Sequence, residues 1–195
     1  MTIQYYNDNA DNFFAGTINV DMSELHKKFT SYLLEGALIL DGGCGSGRDS
    51  LAFMQQGFAV EAFDASEAMV AKASALTGLD VQLKRFDQLE ETERYDGIWT
   101  CASLLHVPKT NLNDAMKVLY QALKHKGIWY LSFKYGTEER KKDGRSFTDM
   151  DELSLVTLVG EIGKTEILEM WITVDKRPDR DEKWLNVILK KQDKL

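Results

Sequence analysis

Only two cysteines occur in the 195 residues, Cys44 and Cys101, far apart and with no second pair beside them. A disulfide framework and a zinc cluster are therefore not indicated, no metal is expected, and the setting that fits is a reducing, cytoplasmic one. Proline is scarcer than usual, with 2 residues beside 14 glycines, which excludes a collagenous or low-complexity chain. No stretch approaches the roughly 18 consecutive apolar residues of a membrane span. The opening MTIQYYNDNADNFF has neither the basic start nor the apolar centre of a leader peptide. Basic residues are also short, 24 against 31 acidic, and the resulting net charge of -7 repels phosphate backbones and anionic membranes at long range. Nucleic acid and membrane are disfavoured partners. What remains, 44% hydrophobic and 28% charged residues, describes a single soluble domain spanning 1–195.

Strand-length apolar runs alternate with amphipathic stretches, the rhythm of an α/β fold. Strands are expected at residues 37–40, 58–63, 81–83, 95–100, 128–133, 166–174 and 184–189. The intervening helices carry their own punctuation. Gly57 and Gly78 sit where a helix ends, Ser66 where one begins, and Leu112, Met116, Leu119 and Leu123 share one face of a helix closed by Gly127. Thr148 with Asp151 resembles a capping box. The stretch Glu138 to Arg145 reads as a solvated polar loop. Five helix crossings followed by a strand pair joined without a helix predict a three-layer αβα sandwich with a seven-stranded, mostly parallel sheet and an antiparallel last strand. Residues 1–36 precede this core of 37–195 as a helical lid segment, in which Asp21 and Glu24 would cap a helix presenting Met22, Leu25, Phe29 and Leu33.

The strongest signal is ILDGGCGSGRDS, residues 39–50, where an apolar strand ends in Asp41 and passes through Gly43, Cys44, Gly45, Ser46 and Gly47 into a helix. Glycine lets a backbone turn tightly and approach a ligand with N–H groups facing it. A second strand ends in Phe63-Asp64, and an acid there can accept both hydroxyls of a ribose. A dinucleotide fingerprint counted from Gly43 would need a third glycine at position 48, which is Arg48. A nicotinamide enzyme is thereby disfavoured.

The pattern D-G-G-C-G-S-G followed by F-D-A-S, with RFDQL (85–89), YDGIWTCASLLHVP (95–108) and KGIWYLSFKYG (126–136), resembles the class I S-adenosylmethionine-dependent methyltransferases. The opening YYNDNADNFF, the GSGRDS step and the ending DEKWLNVILKK are similar to the tellurite-resistance type of small-molecule methyltransferase. The resemblance implies S-adenosyl-L-methionine as cofactor. It places Gly43, Cys44 and Gly45 beneath the methionine part and Asp64 on the ribose, and Ala65, Ser66 and Met69 beside the adenine. Phe86 and Asp87 would meet the ring edge, Cys101, Ala102 and Ser103 the methionine amine, and Arg48 the carboxylate or a neighbouring acid. Tyr6 belongs to the segment folded over the cofactor, and Tyr5, His106, Lys134 and Tyr135 are candidates to face the acceptor.

Methyl transfer from a sulfonium is an in-line displacement that needs alignment and exclusion of water. His106, just past the fourth strand, is the candidate base or else a wall of the pocket. Asp41 is read as orienting the loop and Cys44 as a small buried hydrophobe. The fourth strand ends in TCAS, without the Asn/Asp-Pro-Pro-aromatic motif of amino-methylating enzymes, and neither proline precedes a cysteine. DNA bases are thus excluded as acceptors, and a small molecule is expected. The alternative is a module that binds the cofactor without turnover.

Overall fold

In the computed structural model, which describes residues 2–177 and 180–193, the chain enters through three short helices, α1 (Thr2–Asp8), α2 (Ala10–Thr17) and α3 (Ser23–Thr30). Strands and helices then alternate through β1 (Leu38–Gly42), α4 (Arg48–Gln55), β2 (Ala59–Asp64), α5 (Glu67–Thr77) and β3 (Gln82–Leu83). They continue through β4 (Tyr95–Thr100), α6 (Lys109–Ala122) and β5 (Leu123–Lys134). A hairpin follows, β6 (Glu139–Lys142) and β7 (Arg145–Thr148), then α7 (Glu152–Ile162), β8 (Thr165–Val174) and β9 (Lys183–Lys191).

The main sheet has the order β3-β2-β1-β4-β5-β9-β8. Strands β1 to β5 run parallel, and the last strand, β9, is antiparallel to both its neighbours. All seven strands read from the sequence are present. The chain winds outward from β1 to β3 and then restarts at β4 on the other side of β1. Two adjacent strand ends whose connections leave in opposite directions create a crevice at their carboxyl ends.

Alternation along the strands divides the core. Trp129, Leu131 and Phe133 of β5 join Leu40, Ile98 and Leu185 on the face covered by α6 and α7. Ile128 and Tyr130 join Ile39, Trp99 and Ile188 on the other face, which Phe29 of α3 and Phe53 of α4 cover. On α6 the buried set is Leu112, Ala115, Met116, Leu119 and Ala122, the i, i+3, i+4 stripe of an amphipathic helix. Gly97 has a steric role: a Cβ there would lie 2.9 Å from the Phe29 ring, so its absence lets α3 press on β4. No described helix is long and apolar enough to cross a membrane.

Four local expectations are corrected. The charged stretch 138–145 is a hairpin and not a loop, because Asp143 (φ 51°) and Gly144 (φ 77°) both take the left-handed conformation that a two-residue hairpin turn requires. Thr148 belongs to β7, and Asp151 alone caps α7 by accepting from the Ser154 N–H at 2.8 Å. Helix α6 ends at Ala122, and Gly127 lies inside β5. The β3-to-β4 crossing is only a 3-10 turn, Phe86–Gln88. Near the lid, Asp21 accepts from the Ser23 N–H at 2.9 Å, and α3 stops before Leu33. Pro178, in the turn between the last two strands, lies outside the described residues.

Trp99 stacks on Tyr130 with centroids 3.9 Å apart and donates its indole N–H to Asp49 at 2.9 Å. Trp99→Phe retains a ring there and deletes the donor to a buried charge. Urea unfolding is expected to show a loss of about 1–3 kcal/mol, the range for removing one partner of a buried charged group.

Candidate active site

At the carboxyl ends of β1, β2, β4 and β5 lies a cavity of about 770 Å³, inside the range of roughly 300–1,000 Å³ usual for small-molecule sites. Its floor is the turn after β1. Gly43 and Gly45 have φ of 73° and 54°, a region that costs glycine nothing. The Gly43 and Cys44 N–H groups donate to the Phe63 carbonyl at 2.9 and 3.0 Å, which lays the turn against the end of β2. A Cβ on Gly43 would sit 2.5 Å from the Ser103 Cβ, so no side chain fits between the turn and the end of β4.

Asp64 closes β2 beside this turn. One of its oxygens accepts from the Gly45 N–H and the other from the Ser66 N–H, both at 2.9 Å. Burial raises its pKa, and these backbone donors partly offset the effect. The Ala65 N–H is a third backbone donor to this carboxylate, which lines the cavity. Across from it, Ala102 at the end of β4 adopts φ 51°, unusual for a residue with a Cβ. The conformation is held by its N–H donating to Ser132 at 2.9 Å and by the Ser103 hydroxyl donating to the Gly42 carbonyl at 2.7 Å.

Sixteen of the eighteen residues singled out from the sequence line this cavity: Tyr6, Gly43, Cys44, Gly45, Arg48, Asp64, Ala65, Ser66, Met69, Phe86, Asp87, Cys101, Ala102, Ser103, His106 and Lys134. Two do not. Tyr135 is exposed and donates its hydroxyl to Glu152 on α7, because it lies past the end of β5 beside that helix. Tyr5 backs the wall: its ring lies beneath the Arg145 guanidinium, 4.4 Å from it.

Several of the sixteen are committed to partners within the protein. Arg48 forms a two-pronged pair with Asp49 at 2.7 and 2.9 Å, directed inward. Burial would raise the Asp49 pKa, yet Arg48 and His26 outweigh it and hold the carboxyl well below the usual carboxylate range. Asp41 goes the other way, pushed up to about 8 by burial and by Asp49. Burial raises Cys44 well above its ordinary value and takes Cys101 up to about 12, so neither is a thiolate near neutrality. Asp87, at the exposed rim, is bound by Arg85 at 2.9 Å on each oxygen. Ser66 caps α5 and donates to Asn7 of α1 at 2.6 Å.

His106 has both ring nitrogens engaged. Its Nδ1 is 2.8 Å from the Ser146 carbonyl, an acceptor only, so Nδ1 carries the proton. Its Nε2 therefore accepts, and the Tyr6 hydroxyl donates to it at 2.8 Å. Burial lowers the histidine to about 4, so the ring is neutral with its basic lone pair already engaged. It acts as a positioning group that joins the N-terminal helix to the hairpin. A freely available base it is not. Sequence reasoning also missed Asn7, Asp49 and the hairpin residues Arg145, Ser146 and Phe147; the Asp143-Gly144 dipeptide was the available signal for the hairpin.

Residues 39–127 match a family model described as methyltransferase domain. The matched stretch spans β1 to the start of β5 and so contains the glycine turn, Asp64 and the end of β4. An uncharacterized methyltransferase of Staphylococcus carnosus (strain TM300) is 29% identical over 136 residues, which is 69% of this chain and 65% of that protein. The match therefore covers less than two thirds of that relative's length. Among solved structures, 1,6-didemethyltoxoflavin-N1-methyltransferase of Burkholderia thailandensis, with bound 1,6-didemethyltoxoflavin and S-adenosylhomocysteine, superposes with TM-score 0.79 at 22% identity. That similarity covers 98% of this chain and 85% of the other. The [4+2]-cyclase SpnF has TM-score 0.75 and 16% identity over 97% of this chain and 94% of its own. Rossmann-like methyltransferase architecture is thus shared with proteins of different chemistry, and function has to be argued from the site.

Gly43→Ala meets both the Ser103 contact and a positive φ, and is expected to cost about 1–3 kcal/mol in thermal or urea unfolding. The His106 effect has a definite sign. A histidine that falls from its ordinary 6.5 to about 4 on folding contributes stability that is complete above 6.5 and is lost as pH drops toward 4. The stability gap between wild type and His106→Gln should narrow by about 2 kcal/mol from pH 7 to pH 5. A gap that is constant with pH contradicts this account.

Proposed function

We propose that the protein transfers a methyl group from S-adenosylmethionine to a small nucleophilic acceptor. The observation that carries this reading is Asp64, a carboxylate fixed in place by backbone N–H groups where it lines the cavity, beside a turn that admits no Cβ. The donor set fits an adenosyl group: a carboxylate for vicinal hydroxyls, apolar Met69 and Phe86 for a purine, and a glycine turn with room for a flexible chain. The cofactor supplies, when bound, a methyl carbon activated by a sulfonium, which an acceptor lone pair displaces in line while the carbon–sulfur electron pair returns to sulfur. The chain's own residues then have three tasks. Asp64 and the turn fix one reactant, the walls exclude water, and Tyr6, held by His106, closes the cavity from the N-terminal side.

Because His106 offers no free lone pair, the reading favours an acceptor that is nucleophilic without losing a proton, such as a thiolate, selenide or telluride. The similarity of the opening and closing segments to the tellurite-resistance type adds selenite and tellurite to the compounds to be screened.

Calorimetry should detect S-adenosylhomocysteine binding in the micromolar range, with Asp64→Ala weakening it by about 1.5–3 kcal/mol, the scale of lost bonds to a charged group. Unchanged affinity in that variant removes the ribose assignment. A radiolabelled methyl-transfer screen over thiols, selenite, tellurite, amines and phenols then tests turnover. Tight product binding with no transfer to any acceptor would favour a non-catalytic binding module.

A further inference from the structure

The cavity is lined by more cations than the net charge of the chain suggests, and most of them are neutralised locally. Lys134 is 2.7 Å from Glu182, Arg177 2.9 Å from Asp175, and Arg48 is bound by Asp49. Arg145, from the hairpin strand β7, is different. Its side chain is only 15% exposed, and the one carboxylate near it among the described residues is Asp143 at 3.8 Å, beyond hydrogen-bond distance and itself 62% exposed. Its Nε is buried with no acceptor. The rest of the guanidinium donates to the Tyr6 hydroxyl, a neutral acceptor, and lies against aromatic faces, 4.4 Å from the Tyr5 ring centroid and 5.2 Å from that of Phe147.

Removing a guanidinium from water without giving it an anion is costly, and rings recover only part of that cost. Lys134, although paired with Glu182, brings a second cationic group to the same place, its ammonium 4.4 Å from the Phe147 ring that Arg145 also faces. Tyr6 and His106, the groups that close the cavity, lie against these cations: both Arg145 and Lys134 disfavour a proton on His106. The missing partner is therefore an anion delivered into the cavity.

We infer that Arg145, framed by Tyr5 and Phe147 and supported by Lys134, is the anchor for an oxyanionic group, a carboxylate or its tetrahedral analogue, on the methyl acceptor. This deepens the methyl-transfer reading and rests on it. Arginine suits the task because its planar fork can donate two parallel bonds to such a group while stacking on aromatic faces. A neutral isostere of the same shape leaves the guanidinium unpaired and is rejected.

The test uses the full chain saturated with S-adenosylhomocysteine and titrated by calorimetry with benzoate, phenylphosphonate and benzamide. Benzoate or phenylphosphonate should bind at least about tenfold more tightly than benzamide, and the preference between the two anions tells a planar group from a tetrahedral one. Raising salt should weaken the anions and leave benzamide unaffected. Arg145→Gln should lose about tenfold or more for the anion while S-adenosylhomocysteine affinity stays within about twofold. Asp143→Asn, which removes the competing carboxylate at an exposed turn, should tighten anion binding and gives a second variant should Arg145→Gln fail to fold. Equal binding of benzoate and benzamide, no binding of either anion, or an unchanged Arg145→Gln overturns the inference while leaving the cofactor reading intact. Failure of wild type to bind S-adenosylhomocysteine overturns the reading beneath it.

Discussion

A carboxylate as deeply buried as Asp49 can stay ionised only if donors surround it, and this requirement organises the cavity end of the sheet. Its oxygens receive Arg48 from the first turn of α4, the Trp99 indole from β4 and His26 from α3. Three segments are thereby fixed to one charge. The start of α4 sets the far end of the glycine turn, β4 sets the strand whose end opposes that turn, and α3 anchors the N-terminal segment that covers both. The same charge raises its neighbour Asp41, which the Ser50 hydroxyl meets at 2.6 Å. Two acids close together in the interior thus divide into one held ionised and one held protonated near neutrality.

From that anchor the cavity is closed by contacts of a second kind. Asn7 reaches Ser66 on α5, Tyr6 reaches His106 after β4, and His106 reaches Ser146 on the hairpin. The Ser146 N–H donates in turn to Thr2 at 3.0 Å. The N-terminal helix α1, which buries no residue fully, is therefore attached largely by polar bonds. Such a cap can release and re-form with less loss of apolar burial than a helix such as α6, and elements that open over a site are drawn from this weakly held class.

Which parts of this were legible in sequence follows from the range of the interactions. Strand positions follow local periodicity, and the glycine turn with Asp64 is written in two short segments, so the seven strands and the placing of that turn beside Asp64 were legible. The Asp49 partners are 23 and 50 residues away, and His106 meets a tyrosine 100 residues away. No local spacing encodes such pairings, so the partners of His106 were not read, and it stayed open between a base and a pocket wall; Arg48, whose partner is the next residue, was read as meeting the cofactor carboxylate or a neighbouring acid. The hairpin was missed for another reason. Glu139–Lys142 has no apolar alternation to mark a strand, and charge alone reads as loop, although the Asp-Gly turn was there to be weighed. Tyr135 failed because a residue one step past the end of a strand can leave its face.

The charge distribution reconciles the acidity of the chain with the anion site proposed at Arg145. At physiological salt a surface charge is screened within about 8 Å, so a small ligand entering the cavity responds to the groups lining it and not to the total. A polyanion, by contrast, meets the whole surface, where the excess of 31 acidic over 24 basic residues repels it. An under-neutralised guanidinium inside an acidic shell therefore selects for small anions against large ones. It also complements the neutral His106: an acceptor that arrives with its negative charge pairs with Arg145, and a nucleophile that needs no deprotonation makes no demand on a histidine whose lone pair is already bound. Both features point to an acceptor that brings its own charge and its own electron pair, with the protein supplying position and exclusion of water.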